Sequence, residues 1–232
     1  EDAVPIAKPL IEIAPPADFS DLDEALRAIS SYHWVIFASV NAVRALFSRT
    51  DELGLQLNWG DTKIAAIGTQ TAAVLQEHRL QPQYVPTSFV AESFVEGFPG
   101  YPSELQNTRV LWPKTNIGRT YIADRFAEAG ARVTKVICYT TGLPENSESL
   151  GQELRGLLET GGIDAVTFTS SQTVRNFAAL LGFDEGVSER VMSNVLVGVI
   201  GPETAATAGK LLPRVDVVAR EHTLSSSNSN MR

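Results

Sequence analysis

The sequence predicts an α/β protein built from two similar parallel-sheet domains. Three observations carry that prediction. A strand–turn–helix pattern occurs twice in the same order, short apolar β-rich runs alternate with stretches of helical spacing, and two extended segments bracket the first copy of the pattern.

The duplication is visible in the letters. VIFASVNAVR begins at Val35 and VTFTSSQTVR at Val166, so Ser39 matches Ser170, Val43 matches Val174 and Arg44 matches Arg175 at one offset. Further on, IAAIGTQTAAVL holds Gly68 and Thr71, while VGVIGPETAATA holds Gly201 and Thr204, at nearly the same offset. One shared short motif is weak evidence. Two in the same order make chance a poor explanation.

Each copy reads the same way in physical terms. The runs WVIFAS and AVTFTS suit buried parallel strands. Each ends in serine and small polar residues able to cap a helix. Helical spacing then follows at Val43, Leu46 and Phe47 in one copy and at Val174, Phe177 and Ala178 in the other. The second motif repeats the plan with a strand (IAAIG; VGVIG), a glycine turn and a helix opening on Thr-Ala. A third strand is expected near Tyr84 in the first copy and from Val215 in the second.

The copies are not equally complete. The first continues through a helix in TSFVAESFVEGF and a strand, loop and helix in RVLWPKTNIGRTYIADRFAEAGARV, whereas the second has no counterpart to the RVLWP strand. The extended, proline-punctuated AVPIAKPLIEIAPP precedes the first copy, and ARVTKVICYTTGLPE lies between the copies. Their placement predicts a two-stranded connector joining the two domains. The expected organisation is a connector strand at 1–16, a first lobe at 17–132, a return strand at 133–144, an incomplete second lobe at 145–220 and a polar, disordered tail at 221–232.

Composition narrows the function classes. The chain has 232 residues, 44% hydrophobic and 20% charged, with a net charge of −8. Such a balance offers no basic stripe for a nucleic-acid backbone. No apolar run is long enough for a membrane helix, and the first residues carry no targeting signal. His33, His78 and His222 are far apart, Cys138 is the single cysteine, and no spacing resembles a metal site. Cys138, within VTKVICY, reads as an inert buried thiol rather than a nucleophile.

The order of PLIEI, FASVNAV, IGTQTA, SFVAE, the Gly118-Arg119 loop, VICYTTG, FTSSQTV and IGPETA resembles uroporphyrinogen-III synthases, from about Val4 to Ala219. Each motif is soft; their order carries the specificity. The resemblance implies two flavodoxin-like lobes, the second of which takes a strand and helix from a segment ahead of residue 1. That strand would lie inside the sheet, as in a 2-1-3-4-5 order, and this sequence does not contain it.

What the resemblance implies for chemistry is closure of hydroxymethylbilane, a linear tetrapyrrole with eight carboxylates, with loss of water and inversion of the last ring. No cofactor or metal is implied. Holding such a substrate in one shape is the main task, and helix N-termini bind anions through their unpaired amides. The repeated motifs place such termini at Ser39–Asn41, Gly68–Thr71, Ser170–Ser171 and Gly201–Thr204, with another opening at Ala91 beside Glu92. The expectation is that the two sets face a shared gap. For each Ser or Thr, capping its own helix is the alternative. The family has a tyrosine where Tyr139 stands, which implies a weak general acid for the departing hydroxyl; a structural tyrosine is the alternative.

Lys114 and Arg119 are cationic candidates for substrate carboxylates, although Lys114-Thr115-Asn116 departs from the family's loop. Arg44 and Arg175 read as surface ion-pair residues. Ala38 stands where the second copy has Thr169 and the family more often has threonine. A monomer in the cytoplasm, in transient contact with hydroxymethylbilane synthase, completes what the resemblance implies. Two other readings are a non-catalytic two-lobed module for an anionic small molecule and a truncated, inactive paralogue.

Overall fold

The computed structural model describes residues 3–88, 90–183 and 187–219. The tail expected to be disordered lies outside the described residues. The chain divides into two units. One is Ile13–Thr141; the other combines the segment up to Glu12 with the chain from Gly142 onward.

Along the chain, β1 (Glu12–Ala14) is followed by α1 (Ser20–Arg27), β2 (Trp34–Phe37) and α2 (Val40–Glu52). Next come β3 (Lys63–Ala66), α3 (Thr69–Glu77), α4 (Ala91–Glu96), β4 (Arg109–Thr115), α5 (Tyr121–Glu128) and the long β5 (Arg132–Gly142). These strands form one sheet in the order β1-β5-β4-β2-β3. The pairs β2–β3, β2–β4 and β4–β5 are all parallel.

Alternation along the strands decides which helix covers which face. Val35, Phe37, Ile64, Ala66 and Leu111 point to one side and pack with Leu22, Leu26, Val43, Leu46 and Leu75 of α1, α2 and α3. Trp34, Ile36, Ala65, Val110 and Trp112 point to the other and pack with Phe94, Ile122 and Phe126 of α4 and α5. Strand β2 is therefore buried at every position, as a doubly covered parallel strand should be. Fully burying Phe37, Val43 or Leu46, each at 0% exposure, contributes about 1.5–3 kcal/mol apiece.

The strand order corrects the flavodoxin-like expectation for this unit. The first repeat strand, β2, sits between β3 and β4, and the third extended segment makes a single parallel bridge, Ala65 to Tyr84, on the outer side of β3. The chain thus steps twice in one direction before α4 carries it back across to β4. That gives the other doubly wound arrangement, with its switch point between β2 and β4. The two bracketing segments do pair, since β1 and β5 are sheet neighbours.

The second unit holds α6 (Ser147–Glu159), β6 (Ala165–Phe168), α7 (Ser171–Leu181), α8 (Val187–Met192), β7 (Leu196–Val199), α9 (Pro202–Leu211) and β8 (Val217–Val218). Its described strands form a parallel sheet in the order β6-β7-β8. Leu150, Leu154 and Leu158 of α6 pack with Val174, Phe177 and Leu181 of α7 over Phe168, Val197 and Val199. The α6–α7 crossing is close enough to need a glycine, because a Cβ on Gly151 would lie 2.6 Å from the Leu180 carbonyl oxygen.

Buried Asn176 on α7 ties the chain segments of this unit together. Its Nδ2 donates to the Leu10 carbonyl at 2.6 Å and to the Gly142 carbonyl at 3.4 Å, while its Oδ1 accepts from Gln172 Nε2 at 2.7 Å.

Candidate active site

At the carboxyl end of β2 the chain leaves the sheet through Ser39, the N-cap of α2, with extended backbone (φ −156°, ψ 155°). Its Oγ accepts from the Ala42 amide at 3.1 Å, satisfying one of the helix's open donors. Ser170 caps α7 with the same φ and ψ, and its Oγ accepts from the Thr173 amide at 3.2 Å. The duplication seen in the sequence is thus a duplication of capping geometry.

The first cap has a partner that the second lacks among the described residues. The Tyr139 hydroxyl lies 3.1 Å from Ser39 Oγ, and either oxygen can donate. A β-bulge aims the ring. Lys114 pairs with Ile137, but Thr115 pairs with Tyr139, so Cys138 is the extra residue. Simple alternation from Val136 and Cys138 would send Tyr139 to the opposite face; the bulge turns it onto the same cluster instead. Tyr139 is 8% exposed, and burial pushes its ionisation above the ordinary tyrosine value despite the Ser39 hydrogen bond. It is a neutral hydroxyl at physiological pH.

Tyr139 opens onto a cleft of about 310 Å³ within the same unit. Ile13, Pro15 and Phe19 supply apolar walls, and Asn41 and Arg44 supply polar groups from α2. Cys138 also lines it, yet the thiol is 2% exposed, lies 3.5 Å from the Lys114 carbonyl oxygen and is pushed up to about 12 by burial. It is a packing group, not a nucleophile.

Other predicted positions lie at or within the first turns of helices. Gly68 and Gly201 are the N-caps of α3 and α9, both with extended backbone, and Pro202 occupies the first turn of α9. Thr71 and Thr204 are buried in those helices, and neither is the cap that the alternative reading made it, since Gly68 and Gly201 hold the N-cap positions. Ser171 Oγ donates to the Glu203 carbonyl at 3.2 Å, linking the starts of α7 and α9. Ala91 opens the short helix α4.

Lys114 is turned inward. Its Nζ donates to the carbonyls of Thr115 and Ile117 at 2.6 and 3.3 Å, and burial, with Lys135 nearby, lowers its pKa. It braces the loop after β4. Arg119 lies 3.4 Å from Glu92 in an exposed ion pair.

Arg44 and Arg175 depart from the surface ion pairs that the sequence suggests: both are exposed and neither makes an ion pair within the described residues, and Arg44 lines the Tyr139 cleft. The one signal was its recurrence as Arg175. The apolar walls at Ile13, Pro15 and Phe19 had no sequence signal, because the strand pairing that brings them to β5 is non-local. No cluster of His, Cys, Asp and Glu that could hold a metal occurs among the described residues, and none of their helices is long and apolar enough to cross a membrane.

Comparison with known proteins gives this geometry its context. The sequence profile of the family described as "Uroporphyrinogen-III synthase HemD" matches residues 1–227. A uroporphyrinogen-III synthase of Synechococcus elongatus is 37% identical over 227 residues, covering 96% of this chain and 83% of the relative. One from Chlorobaculum parvum is 25% identical over 215 residues, covering 90% of this chain and 80% of the relative. Among solved structures, a mutant uroporphyrinogen-III synthase of Thermus thermophilus matches with a TM-score of 0.64 at 19% identity, covering 95% of this chain and 85% of that one. The Helicobacter pylori enzyme matches with 0.63 at 18%, covering 94% and 88%. At such identities the structural likeness speaks for the α/β fold alone, and the sequence matches speak for the family: this chain belongs to the uroporphyrinogen-III synthases.

Proposed function

We infer that the chain catalyses the uroporphyrinogen-III synthase reaction: hydroxymethylbilane loses its terminal hydroxyl as water, and the resulting azafulvene cation closes with inversion of the last pyrrole. The carbon–oxygen electron pair leaves with the oxygen, which needs a proton or a strong hydrogen bond as it departs. The cation is then attacked by the substituted carbon of the last ring, and the spiro intermediate fragments and recloses. The single observation that carries the mechanistic reading is the neutral Tyr139 hydroxyl, held against Ser39 in the wall of a cleft that runs along α2.

In this reading Tyr139 is the hydrogen-bond donor to the leaving oxygen, with a contribution typical of a weakly acidic general acid. Ser39 fixes the phenol and leaves its own orientation to the Ala42 amide. Asn41 meets the substrate in the same cleft. The amides after Gly68 and Gly201, those around Ser170 and Ser171, and the opening of α4 at Ala91 bind carboxylates as helix N-termini do. Thr71 and Thr204 support those turns from within, and Lys114 supports the loop after β4. Catalysis is then chiefly a matter of holding a flexible octa-anion in one conformation. We further propose a cytoplasmic monomer that receives its short-lived substrate in transient contact with hydroxymethylbilane synthase and serves heme and chlorophyll synthesis.

The test is to generate hydroxymethylbilane with its own synthase, add the folded protein and separate the products. Formation of the type III isomer supports the reading. Type I isomer alone, the product of closure without inversion, overturns it.

A further inference from the structure

Resting on that reading, we propose that the cleft beside Tyr139 is a subsite for one carboxylate-bearing pyrrole ring and that Arg44 is its carboxylate anchor. Size sets the first constraint. A volume of about 310 Å³ lies at the small end of the range for small-molecule pockets, with room for a single substituted ring and not for a whole tetrapyrrole.

The chemistry of the walls sets the second constraint. Asn41 and Arg44 stand one helical turn apart on α2 and reach the cleft together, while Phe19, Ile13 and Pro15 line it with apolar surface. A flat aromatic ring with charged side arms needs both kinds of surface. Of the other charged lining residues, Arg49 and Glu52 pair with each other at 2.9 Å, and Arg49 also pairs with Asp23 at 2.8 Å. Their charges are already matched. Arg44 has no ion-pair partner within the described residues and sits just beyond the first turn of α2, where the helix dipole gives a cation no help. A guanidinium with free donors, in the same cleft as the phenol that acts on the leaving group, binds a carboxylate through paired hydrogen bonds.

An anchor of this kind acts on binding rather than on the bond-breaking step. Arg44→Gln is therefore expected to raise KM for hydroxymethylbilane about tenfold and to leave kcat within about twofold. Its affinity for uroporphyrin III, a stable octacarboxylate, should fall by a similar factor in fluorescence titrations. Arg44→Lys should recover part of the loss, because it restores the charge without the planar fork. Lys210→Gln, which removes one charge from the last turn of α9, controls for general electrostatics and should bind as the unmodified protein does.

Three results overturn the proposal while leaving the parent activity standing: type III product from the unmodified protein with KM and uroporphyrin affinity unchanged in Arg44→Gln; an equal loss in Lys210→Gln; or a lowered melting temperature in Arg44→Gln that accounts for the loss. Type I product alone from the unmodified protein overturns the parent reading instead.

Discussion

The Tyr139 hydroxyl and the Ser39 Oγ, one hundred residues apart in sequence, lie 3.1 Å from each other. Ser39 also accepts from the Ala42 amide, so one hydroxyl both starts α2 and holds the phenol. Structural capping and chemical positioning therefore meet in one atom, and they separate on mutation because the repeat supplies a control.

Ser39→Ala and Ser170→Ala each remove an N-cap with the same backbone geometry. Each should lower unfolding free energy by about 1 kcal/mol, measured in urea. Only Ser39→Ala also frees Tyr139, so it should lower kcat about three- to tenfold beyond any effect of Ser170→Ala. Equal kinetic effects in the two variants would show that the Tyr139 contact has no role of its own.

Burial raises the Tyr139 pKa. A group whose folded value is raised keeps its proton longer in the native state. Its contribution to stability is full below the unfolded value of about 10 and is lost as pH rises through the folded one. The phenol therefore remains a donor across the neutral and mildly alkaline range. Relative to Tyr139→Phe, the kcat advantage of the intact protein should persist to about pH 10. An advantage already falling near neutrality would mean that the proton is held less firmly than burial requires.

Cys138 follows the same sign. Its thiol, raised from 9.0 to about 12 by burial, should resist disulfide-exchange reagents in the native protein and react promptly once the chain is unfolded. Stability linked to it should be complete below pH 9.0 and should fall as pH rises toward 12. Rapid native-state labelling would contradict both the burial and the packing role.

Asn176→Leu removes the donor to the Leu10 and Gly142 carbonyls and the acceptor for Gln172. Leaving buried polar groups unpaired should cost about 1–3 kcal/mol. Urea unfolding measures the loss, and hydrogen exchange around Leu10 should rise with it. A change under about 0.5 kcal/mol, within the range of ordinary surface substitutions, would mean that water or rearrangement replaces the network.

Much of this was legible in the letters, for reasons that are local. A serine after a buried strand can cap only the helix that follows, so Ser39 and Ser170 revealed two equivalent strand–helix turns. The apolar run of β2 announces a doubly covered sheet because every position of that strand is buried. What stayed hidden depends on distant packing. The side on which Tyr84 joins the sheet, and hence the strand order, rests on non-local contacts: Gln83 Oε1 accepts from the Ile64 amide of β3, and the Tyr84 ring packs on Phe94 and Phe98. The bulge at Cys138 exists only in the register of β5 against β4. Arg44 looked like half of a surface ion pair because sequence shows a charge but not the absence of its partner.

The central claim is that the Tyr139 hydroxyl acts on the leaving group from a fixed position. Steady-state turnover of Tyr139→Phe tests it most directly, since the change removes one oxygen and keeps the ring. The account predicts kcat lower by about 10- to 100-fold, KM within about twofold, melting temperature nearly unchanged and type III product still formed by the residual activity. Turnover equal to that of the unmodified protein, at equal folded concentration, would contradict it.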